Sequence, residues 1–215
     1  MRKILITDFD GTLCRQDFYQ LVIQHLLPPG VPNYWQQYLA GTITHFEVLQ
    51  KYFAEIRQSE AEVDQILTRM ELEPELPQCL SNLREAGWQV AVASAGCGWY
   101  IEKLLKHLDP PVVVHTNPGK FVEGQGLLMS LPYGLQFFSP ITGIDKTAIV
   151  KAAIAQVGEQ NVAYAGDGHT DVIPSLLVPA KQRFARGDLA TVLDRKMQAY
   201  QPFTRWKEVA EGLLS

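Results

Sequence analysis

The sequence has few cysteines, no long apolar run and no excess of basic side chains, and each shortage excludes a class of protein. Its three cysteines, Cys14, Cys79 and Cys97, lack metal-ligand spacing, so we expect reduced thiols in a cytoplasmic protein, with Cys14 and Cys97 as small buried hydrophobic residues. No apolar run approaches the roughly 20 residues of a membrane span. Because a core strand is predicted to begin near Lys3, we expect no signal peptide. The net charge of −4 argues against a nucleic-acid partner.

The first strand and the turn after it are the most informative stretch. Residues 4–6 form an apolar run, which is typical of a buried strand in a parallel sheet. Asp8, Asp10, Gly11 and Thr12 follow, and ligands of open α/β sheets bind beyond the carboxyl ends of the strands. Two neighbouring carboxylates repel each other unless a proton or a cation neutralises one. Their hard oxygen atoms suit Mg²⁺, and a solvated acidic turn is the alternative.

The length and composition fit one large domain, or one domain that carries an insertion. Hydrophobic residues make up 47% and charged residues 20% of the 215 residues, as in ordinary globular proteins. From residue 15 to residue 75 the pattern is helical, and no strand pattern interrupts these roughly sixty residues. A plain crossover between parallel strands is usually shorter. We therefore predict a small helical cap over residues 15–75, inserted into a core of residues 1–14 and 76–215.

The second buried strand, predicted over residues 88–93, ends on Ser94-Ala95-Gly96. A hydroxyl and free backbone N–H groups at the start of a helix form an anion site, and a simple N-cap is the alternative for Ser94. Lys146 lies in the first turn of a predicted helix, where the helix dipole prefers an anion. This misfit favours an anionic partner for Lys146, with a solvated lysine as the alternative.

A third buried strand, predicted over residues 161–165, runs into Gly166-Asp167-Gly168-His169-Thr170-Asp171. The carboxyl ends of parallel strands meet at one edge of the sheet. We therefore expect six polar side chains to lie at or near that edge: Asp8, Asp10, Ser94, Lys146, Asp167 and Asp171.

These groups suit phosphoryl transfer. A carboxylate nucleophile can take up a phosphoryl group as an aspartyl-phosphate. A second carboxyl group two residues on can protonate the leaving oxygen and then deprotonate a water molecule. A divalent cation, a lysine, a serine and backbone N–H groups can offset the charge on the transferring oxygens.

The remaining pattern predicts helices and strands that complete an α/β fold. A β-hairpin with its turn near Glu123-Gly124 is expected within residues 116–142. Further helices are predicted over residues 17–27, 76–86, 99–108, 145–157, 189–199 and 205–214, and further strands over residues 112–114 and 182–185.

The motifs resemble those of a known family. Asp8-Phe9-Asp10-Gly11-Thr12-Leu13, Ser94, Lys146 and the stretch from Gly166 to Asp171 are similar, in order and spacing, to the four motifs of the haloacid dehalogenase superfamily. The resemblance covers nearly the whole chain. It implies a Rossmann-like parallel sheet with the small inserted α-helical cap, and Mg²⁺-dependent phosphate hydrolysis.

The resemblance also implies a role for each matching residue. Asp8 would be the nucleophile and Asp10 the acid and base, and the presence of this second acid argues against a dehalogenase. Mg²⁺ would be bound by Asp8, the Asp10 carbonyl and Asp167, with Asp171 supporting the site. The residues expected to bind phosphate are Thr12, Ser94, Ala95, Gly96 and Lys146.

The helical insert resembles that of phosphoserine phosphatases and their relatives. Asp17, Phe184-Ala185-Arg186 and the Gly-Asp-Gly form of the last motif are similar to phosphatases that act on 2-hydroxy-3-keto-5-methylthiopentenyl-1-phosphate in methionine salvage. A looser similarity is to phosphocholine and phosphoethanolamine phosphatases. Two features depart from the pattern, namely Ser-Ala-Gly in place of Ser-Gly-Gly and the absence of cysteines before Lys146. They leave the catalytic set intact and the substrate open.

Substrate choice should come from the cap, because the superfamily shares its catalytic residues. We expect Arg15 and Asp17 to contact the substrate, since they follow the first motif directly. The other candidates are Tyr19, His45, Arg57 and Arg69, together with His169 of the last motif, for which a solvent-facing position is the alternative. The expected partner is a small phosphomonoester, bound by a monomer or a homodimer.

Three other functions compete with this interpretation. A response-regulator phosphoacceptor domain is shorter, has no cap and does not carry its acceptor aspartate on the first strand. A non-catalytic sensor of a phosphorylated ligand has no need of the acid and base, so the pair Asp8 and Asp10 argues against it. Within the enzymes, phosphoserine phosphatase is the rival.

Overall fold

The computed structural model describes residues 2–215, which form ten strands and ten α-helices. The strands are β1 (Lys3–Thr7), β2 (Trp88–Cys97), β3 (Val113–Asn117), β4 (Gly119–Val122), β5 (Gly126–Met129), β6 (Phe138–Ser139), β7 (Gly143–Ile144), β8 (Val162–Gly166), β9 (Arg183–Ala185) and β10 (Gln201–Pro202). The helices are α1 (Phe18–His25), α2 (Tyr34–Leu39), α3 (His45–Ala54), α4 (Glu60–Leu67), α5 (Leu76–Glu85), α6 (Gly98–Leu105), α7 (Lys146–Val157), α8 (Val172–Ser175), α9 (Gly187–Arg195) and α10 (Trp206–Leu214).

Six strands form one parallel sheet in the order β10-β9-β8-β1-β2-β3. This confirms the predicted α/β fold with a parallel sheet. The strand β1 lies inside the sheet, and its two faces are buried in different clusters. Leu5 belongs to the largest cluster, whereas Ile4 and Ile6 lie on the other face in the cluster that contains Ile149 of α7. Burial on both faces explains the unbroken apolar run of β1.

The strand β2 is longer than predicted, because residues 94–97 continue it. Its register with β3 shifts between Ala93 and Cys97. Asn117 Nδ2 donates to the Ala95 carbonyl over 2.8 Å, and Thr116 Oγ1 donates to the Gly96 carbonyl over 3.1 Å. These bonds keep the segment extended, so α6 starts only at Gly98. The expectation that Ser94 stands at a helix N-terminus is therefore wrong.

Residues 15–75 contain α1 to α4 and a 3₁₀ turn at Thr68–Met70. The helical pattern between residues 34 and 70 is broken into separate helices, because Thr44 and Ser59 each form an N-terminal capping box. The chain enters and leaves this insert through an antiparallel pairing of Cys14 with Leu72. The largest buried cluster continues from the insert into the sheet. The domain division at residues 15–75 stays a prediction.

The predicted hairpin is confirmed as β4 and β5, which pair antiparallel with the turn at residues 123–125. It packs against α3 of the insert. Gly126 has a φ of +84°, and a Cβ atom there would lie 2.5 Å from the Phe53 carbonyl oxygen, so only glycine fits. Of the unpredicted strands, β10 and the pair β6 and β7 have only two residues each.

Two further expectations concern the cysteines and membrane-spanning helices. The thiols of Cys14, Cys79 and Cys97 are free and buried, which confirms the predicted burial of Cys14 and Cys97. Across residues 2–215, every helix is too short or too polar to cross a membrane.

Candidate active site

Asp8 lies at the carboxyl end of β1, and its carboxylate is held on both oxygens. The Asp8 backbone N–H donates to the Ala165 carbonyl over 2.9 Å, which fixes the residue beside β8. Its Oδ1 accepts the Phe9 N–H over 2.7 Å, and its Oδ2 lies 2.7 Å from Nζ of Lys146. Burial, and then the charge of Asp171, raises the pKa of Asp8 well above its usual range.

Lys146 is the positive centre of the site. Its side chain is 4% exposed, and its Nζ lies 2.7 Å from both Asp8 Oδ2 and Asp171 Oδ1. Burial alone would lower the pKa of Lys146, but the charges of Asp171 and Asp8 outweigh burial and raise it. Lys146 is therefore an ammonium that contacts the Asp171 anion and the Asp8 carboxyl group. The alternative of a solvated lysine is wrong.

Asp171 fixes the backbone of the last motif through hydrogen bonds. Its Oδ1 accepts the hydroxyl of Tyr164 over 2.6 Å as well as the Lys146 ammonium. Its Oδ2 accepts the backbone N–H groups of Asp167 and Gly168 over 3.1 and 2.9 Å. Burial alone would raise the pKa of Asp171, but Lys146 and these hydrogen bonds lower it. Asp171 is thus an anion whose oxygens are both occupied.

The carboxylates of Asp8, Asp167 and Asp171 form an acidic cluster, with ligand oxygens within 4.8 Å of one another. Thr12 Oγ1 donates to Asp167 Oδ1 over 2.7 Å. Burial and the charge of Asp171 raise the pKa of Asp167 to about 7. Gly11 has a φ of +66°, and a Cβ atom there would lie 2.1 Å from Asp167 Oδ2. This all-oxygen set, destabilised by its own repulsion, fits a hard divalent cation such as Mg²⁺.

Asp10 is held apart from the acidic cluster. Its Oδ2 accepts the hydroxyl of Tyr100 over 2.6 Å and that of Ser94 over 3.3 Å, and its Oδ1 accepts the Phe18 N–H over 3.0 Å. Burial raises the pKa of Asp10 although these hydrogen bonds oppose it. The two carboxylates of the first motif therefore have different partners, and only that of Asp8 joins the acidic cluster.

The second motif lies beside Asp10. The Ser94 hydroxyl accepts the Gly96 N–H over 3.0 Å. A Cβ atom at Gly96 would lie 1.9 Å from the Tyr100 hydroxyl oxygen, so the glycine makes room for the tyrosine that binds Asp10. The Ala95 carbonyl is taken by Asn117.

The guanidinium of Arg186 fixes the turn after Asp10. It donates to the carbonyls of Gly11, Cys14 and Thr204. The sequence pattern identifies Arg186 only as part of Phe184-Ala185-Arg186 and predicts no role for it. The site residues that sequence reasoning missed as contacts are Tyr100, Asn117, Tyr164 and Arg186.

The two predicted substrate residues lie in different surroundings. Asp17 is half-buried and accepts Gln20 Nε2 over 2.8 Å. Burial, and next the charge of Asp10, raises the pKa of Asp17 to about 8. The Arg15 side chain is 74% exposed and lies 3.6 Å from Glu71. Asp17 directly precedes Phe18, whose N–H donates to Asp10, while Arg15 is at the surface.

The other candidate substrate residues also differ in their surroundings. Nδ1 of His45 is buried without a hydrogen-bond partner among the described residues. Arg57 and Arg69 contact residues of their own insert. The His169 side chain is 72% exposed, which agrees with its solvent-facing alternative.

Comparisons with known proteins agree with this geometry. The family model described as haloacid dehalogenase-like hydrolase matches residues 5–173. A curated protein of Brevibacillus brevis, 2-hydroxy-3-keto-5-methylthiopentenyl-1-phosphate phosphatase, is 24% identical over 154 residues, which are 70% of this chain and 69% of that protein.

Solved structures share the fold. A phosphoserine phosphatase with a phospho-aspartyl intermediate analogue has a TM-score of 0.67 and 17% identity, and the match covers 98% of each chain. A HAD family hydrolase of Salmonella enterica serovar Typhi has a TM-score of 0.66 and 15% identity. That match covers 93% of this chain and 66% of the longer one. The prediction of a phosphatase of this superfamily is confirmed, and the chain belongs to the haloacid dehalogenase-like hydrolases.

Proposed function

We propose that the chain is a Mg²⁺-dependent phosphatase that hydrolyses a small phosphomonoester through an aspartyl-phosphate on Asp8. One observation carries the proposal. Asp8 is buried in the acidic cluster and contacts the Lys146 ammonium, while Asp10 is held separately by Tyr100. A nucleophile and an acid of distinct surroundings, two residues apart, are what a two-step hydrolysis needs.

The first step transfers the phosphoryl group to the protein. An Asp8 oxygen attacks phosphorus, the bond from phosphorus to the leaving oxygen breaks, and Asp10 in its acid form donates a proton to that oxygen. Burial raises the pKa of Asp10, which favours the acid form. Lys146 holds the charge of Asp8 and offsets the charge on the transferring oxygens.

The second step releases phosphate. Asp10, now a carboxylate, takes a proton from a water molecule, whose oxygen attacks phosphorus. The bond between phosphorus and Asp8 breaks and restores the free carboxylate. We also propose that Thr12, Ser94, Ala95 and Gly96 bind the phosphate group of the substrate.

Mg²⁺ would be held by the carboxylates of Asp8 and Asp167 and by the main-chain carbonyl of Asp10, with Asp171 in support. The oxygen donors of the acidic cluster fit this ion. When bound, Mg²⁺ supplies positive charge that offsets the phosphoryl oxygens. The protein itself positions the carboxylates of Asp8 and Asp10 and the ammonium group of Lys146.

The first candidate substrate is 2-hydroxy-3-keto-5-methylthiopentenyl-1-phosphate of methionine salvage. The Brevibacillus brevis relative, which carries that name, supports it. Phosphocholine, phosphoethanolamine and phosphoserine are the other candidates, and a non-catalytic sensor is the alternative of another class. We place the activity in the cytoplasm, which suits three free thiols.

The test is phosphate release from a panel of phosphomonoesters, with Mg²⁺ and with EDTA. The panel contains phosphoserine, phosphocholine, sugar phosphates and the enol-phosphate salvage intermediate. We expect Mg²⁺-dependent turnover with one clear favourite. A folded protein that hydrolyses none of them would be the sensor instead.

A further inference from the structure

Thr7, the last residue of β1, carries a hydroxyl group in the interior of the protein. The residue is fully buried and directly precedes Asp8. Valine has nearly the same shape and would suit an apolar strand better, because a buried hydroxyl group is costly unless it is hydrogen-bonded. The hydroxyl group of Thr7 therefore calls for partners that valine could not have.

The Thr7 hydroxyl group has two such partners. Nε1 of Trp206 lies 3.0 Å from Thr7 Oγ1, and Oγ1 lies 2.9 Å from the main-chain carbonyl oxygen of Asp8. An indole N–H can only donate, so Thr7 Oγ1 accepts from Trp206 and its single proton is left for the carbonyl. We call these two hydrogen bonds, from Trp206 through Thr7 to the Asp8 carbonyl, the indole bridge.

The indole bridge acts on the peptide group between Asp8 and Phe9. In a planar trans peptide group the C=O and the N–H point in opposite directions, so a bond that holds the carbonyl also directs the N–H. The Phe9 N–H donates to Asp8 Oδ1 over 2.7 Å, and Asp8 Oδ2 lies 2.7 Å from Nζ of Lys146. These two contacts, one on each oxygen, set the plane of the Asp8 carboxyl group.

Trp206 is itself fixed at the start of α10. Its side chain is buried in the largest cluster. The next residue, Lys207, donates its backbone N–H to Glu73 Oε2 over 3.4 Å, and Glu73 Oε1 accepts the guanidinium of Arg205. Glu73 is buried, and its backbone N–H donates to the Leu13 carbonyl over 3.0 Å. The indole N–H therefore starts from a rigid position.

A second buried tryptophan shows that this fold does not pair every indole. Trp88 is 3% exposed, and within residues 2–215 its Nε1 has no hydrogen-bond partner. It is paired with Lys3, at the opposite end of β1 from Asp8. The hydrogen bond of Trp206 is thus a particular feature of the end of β1 that carries Asp8.

We propose that Trp206 and Thr7 are positioning residues for Asp8: the indole bridge orients the peptide group after Asp8 and, through the Phe9 N–H, the carboxyl group that attacks phosphorus. The inference rests on the proposed function, in which Asp8 is the nucleophile. A misaligned nucleophile reacts slowly even with substrate bound, because alignment lowers the barrier. Loss of the bridge should therefore lower kcat and leave KM nearly unchanged.

The first experiment separates the hydroxyl group of Thr7 from its shape. Thr7→Val removes the hydroxyl group and keeps the shape, whereas Thr7→Ser keeps the hydroxyl group and removes the methyl group. In phosphate-release assays with the preferred ester, we expect Thr7→Val to lower kcat by about tenfold with KM within about twofold of wild type. Thr7→Ser should stay within about twofold of wild type in both. Equal losses in the two variants, or wild-type kcat in folded Thr7→Val, would overturn the proposal.

The second experiment removes the indole N–H. Trp206→Phe keeps an aromatic ring, and Trp88→Phe makes the same change at the buried indole that has no partner. We expect Trp206→Phe to lower kcat by about fivefold and Trp88→Phe to change it by less than about twofold. Equal kcat in the two variants would contradict a role for Trp206. This pair also decides the matter if Thr7→Val does not fold, because Trp206→Phe leaves no buried donor unpaired.

The double variant tests whether the two residues act through one carbonyl. Thr7→Val combined with Trp206→Phe should have the kcat of Thr7→Val alone, whereas independent effects would multiply to about fiftyfold. Multiplied losses would overturn the indole bridge. If wild-type protein hydrolyses no ester, the proposed function itself fails, whereas unchanged kcat in the variants of an active protein overturns only the indole bridge.

Discussion

The charged groups at the sheet edge and four half-buried rings of the insert, Tyr19, Trp35, Tyr38 and His45, are held in opposite ways. Lys146, Asp171 and Asp10 each have two or more partners within 3.3 Å. These four rings contact one another, and among residues 2–215 the buried Nδ1 of His45 has no hydrogen-bond partner. Groups that react must be fixed before the substrate arrives, because their alignment lowers the barrier.

Replacing Asp8, the proposed nucleophile, should have the largest effect and should not distinguish among substrates. Asp8→Asn is nearly isosteric, so we expect the fold to persist while turnover of every ester falls by about four orders of magnitude or more. Circular dichroism checks the fold and phosphate release checks turnover. Appreciable activity in the folded variant would remove Asp8 from the role of nucleophile.

Metal removal should also affect every ester alike. Without a cation the acidic cluster keeps its own repulsion. EDTA should therefore reduce turnover to the background rate, and added Mg²⁺ should restore it. Full activity in EDTA after dialysis would contradict the magnesium requirement.

Lys146→Ala should damage both stability and catalysis. It leaves the buried carboxylates of Asp8 and Asp171 without their cation, which costs about 3–5 kcal/mol when a buried pair is broken. Turnover should fall by about 10²-fold or more, the scale of losing an electrostatic clamp. Urea unfolding and steady-state kinetics measure the two effects.

The control for this prediction lies on the same helix. Lys151 of α7 is exposed, so Lys151→Ala should change stability by no more than about 0.5 kcal/mol. Wild-type kinetics in Lys146→Ala would make Lys146 as dispensable as Lys151.

Tyr100→Phe should give a smaller and purely catalytic effect. The change removes the hydroxyl that donates to Asp10 but keeps the ring that packs on Phe18. Asp10 retains the bonds from Ser94 and Phe18, so we expect kcat to fall by about tenfold with little change in KM. A rise in KM with unchanged kcat would place Tyr100 in substrate binding instead.

The smallest effect is expected at charges that belong to neither region. Lys103 of α6 pairs with Glu60 and Asp64 of α4 at the protein surface. Lys103→Met should cost less than about 1 kcal/mol and leave kcat unchanged, since exposed ion pairs contribute little. A large loss of activity would mean that this contact controls the position of the insert.

The sequence predicts the sheet-edge charges well because strand ends have a clear pattern. The apolar run of β1 and the glycines of the last motif place Asp8 and Asp171 without knowledge of distant contacts. Lys146 was ambiguous on its own, and its burial follows only from two carboxylates that arrive from other strands. The role of a residue with long-range partners can be predicted only when those partners are known.

Tyr100 and Trp35 show why the rest could not be predicted. Tyr100 lies on the buried face of α6, where an aromatic side chain is typical of a core position, and its hydroxyl donates to Asp10, which lies 90 residues earlier in the sequence. Trp35 and Tyr38 join Tyr19 and His45 only through the packing of α1, α2 and α3. One signal was available for Tyr164, because its hydroxyl interrupts an otherwise apolar strand.

The most direct test of the account is to look for phosphate on Asp8 during turnover. Protein mixed with the preferred ester and Mg²⁺ is quenched in acid within the first turnover, digested and analysed by mass spectrometry. We predict the added mass of one phosphoryl group on the peptide that contains Asp8, and its absence from Asp8→Asn. A peptide that stays unmodified while phosphate is released rapidly would contradict covalent transfer to Asp8.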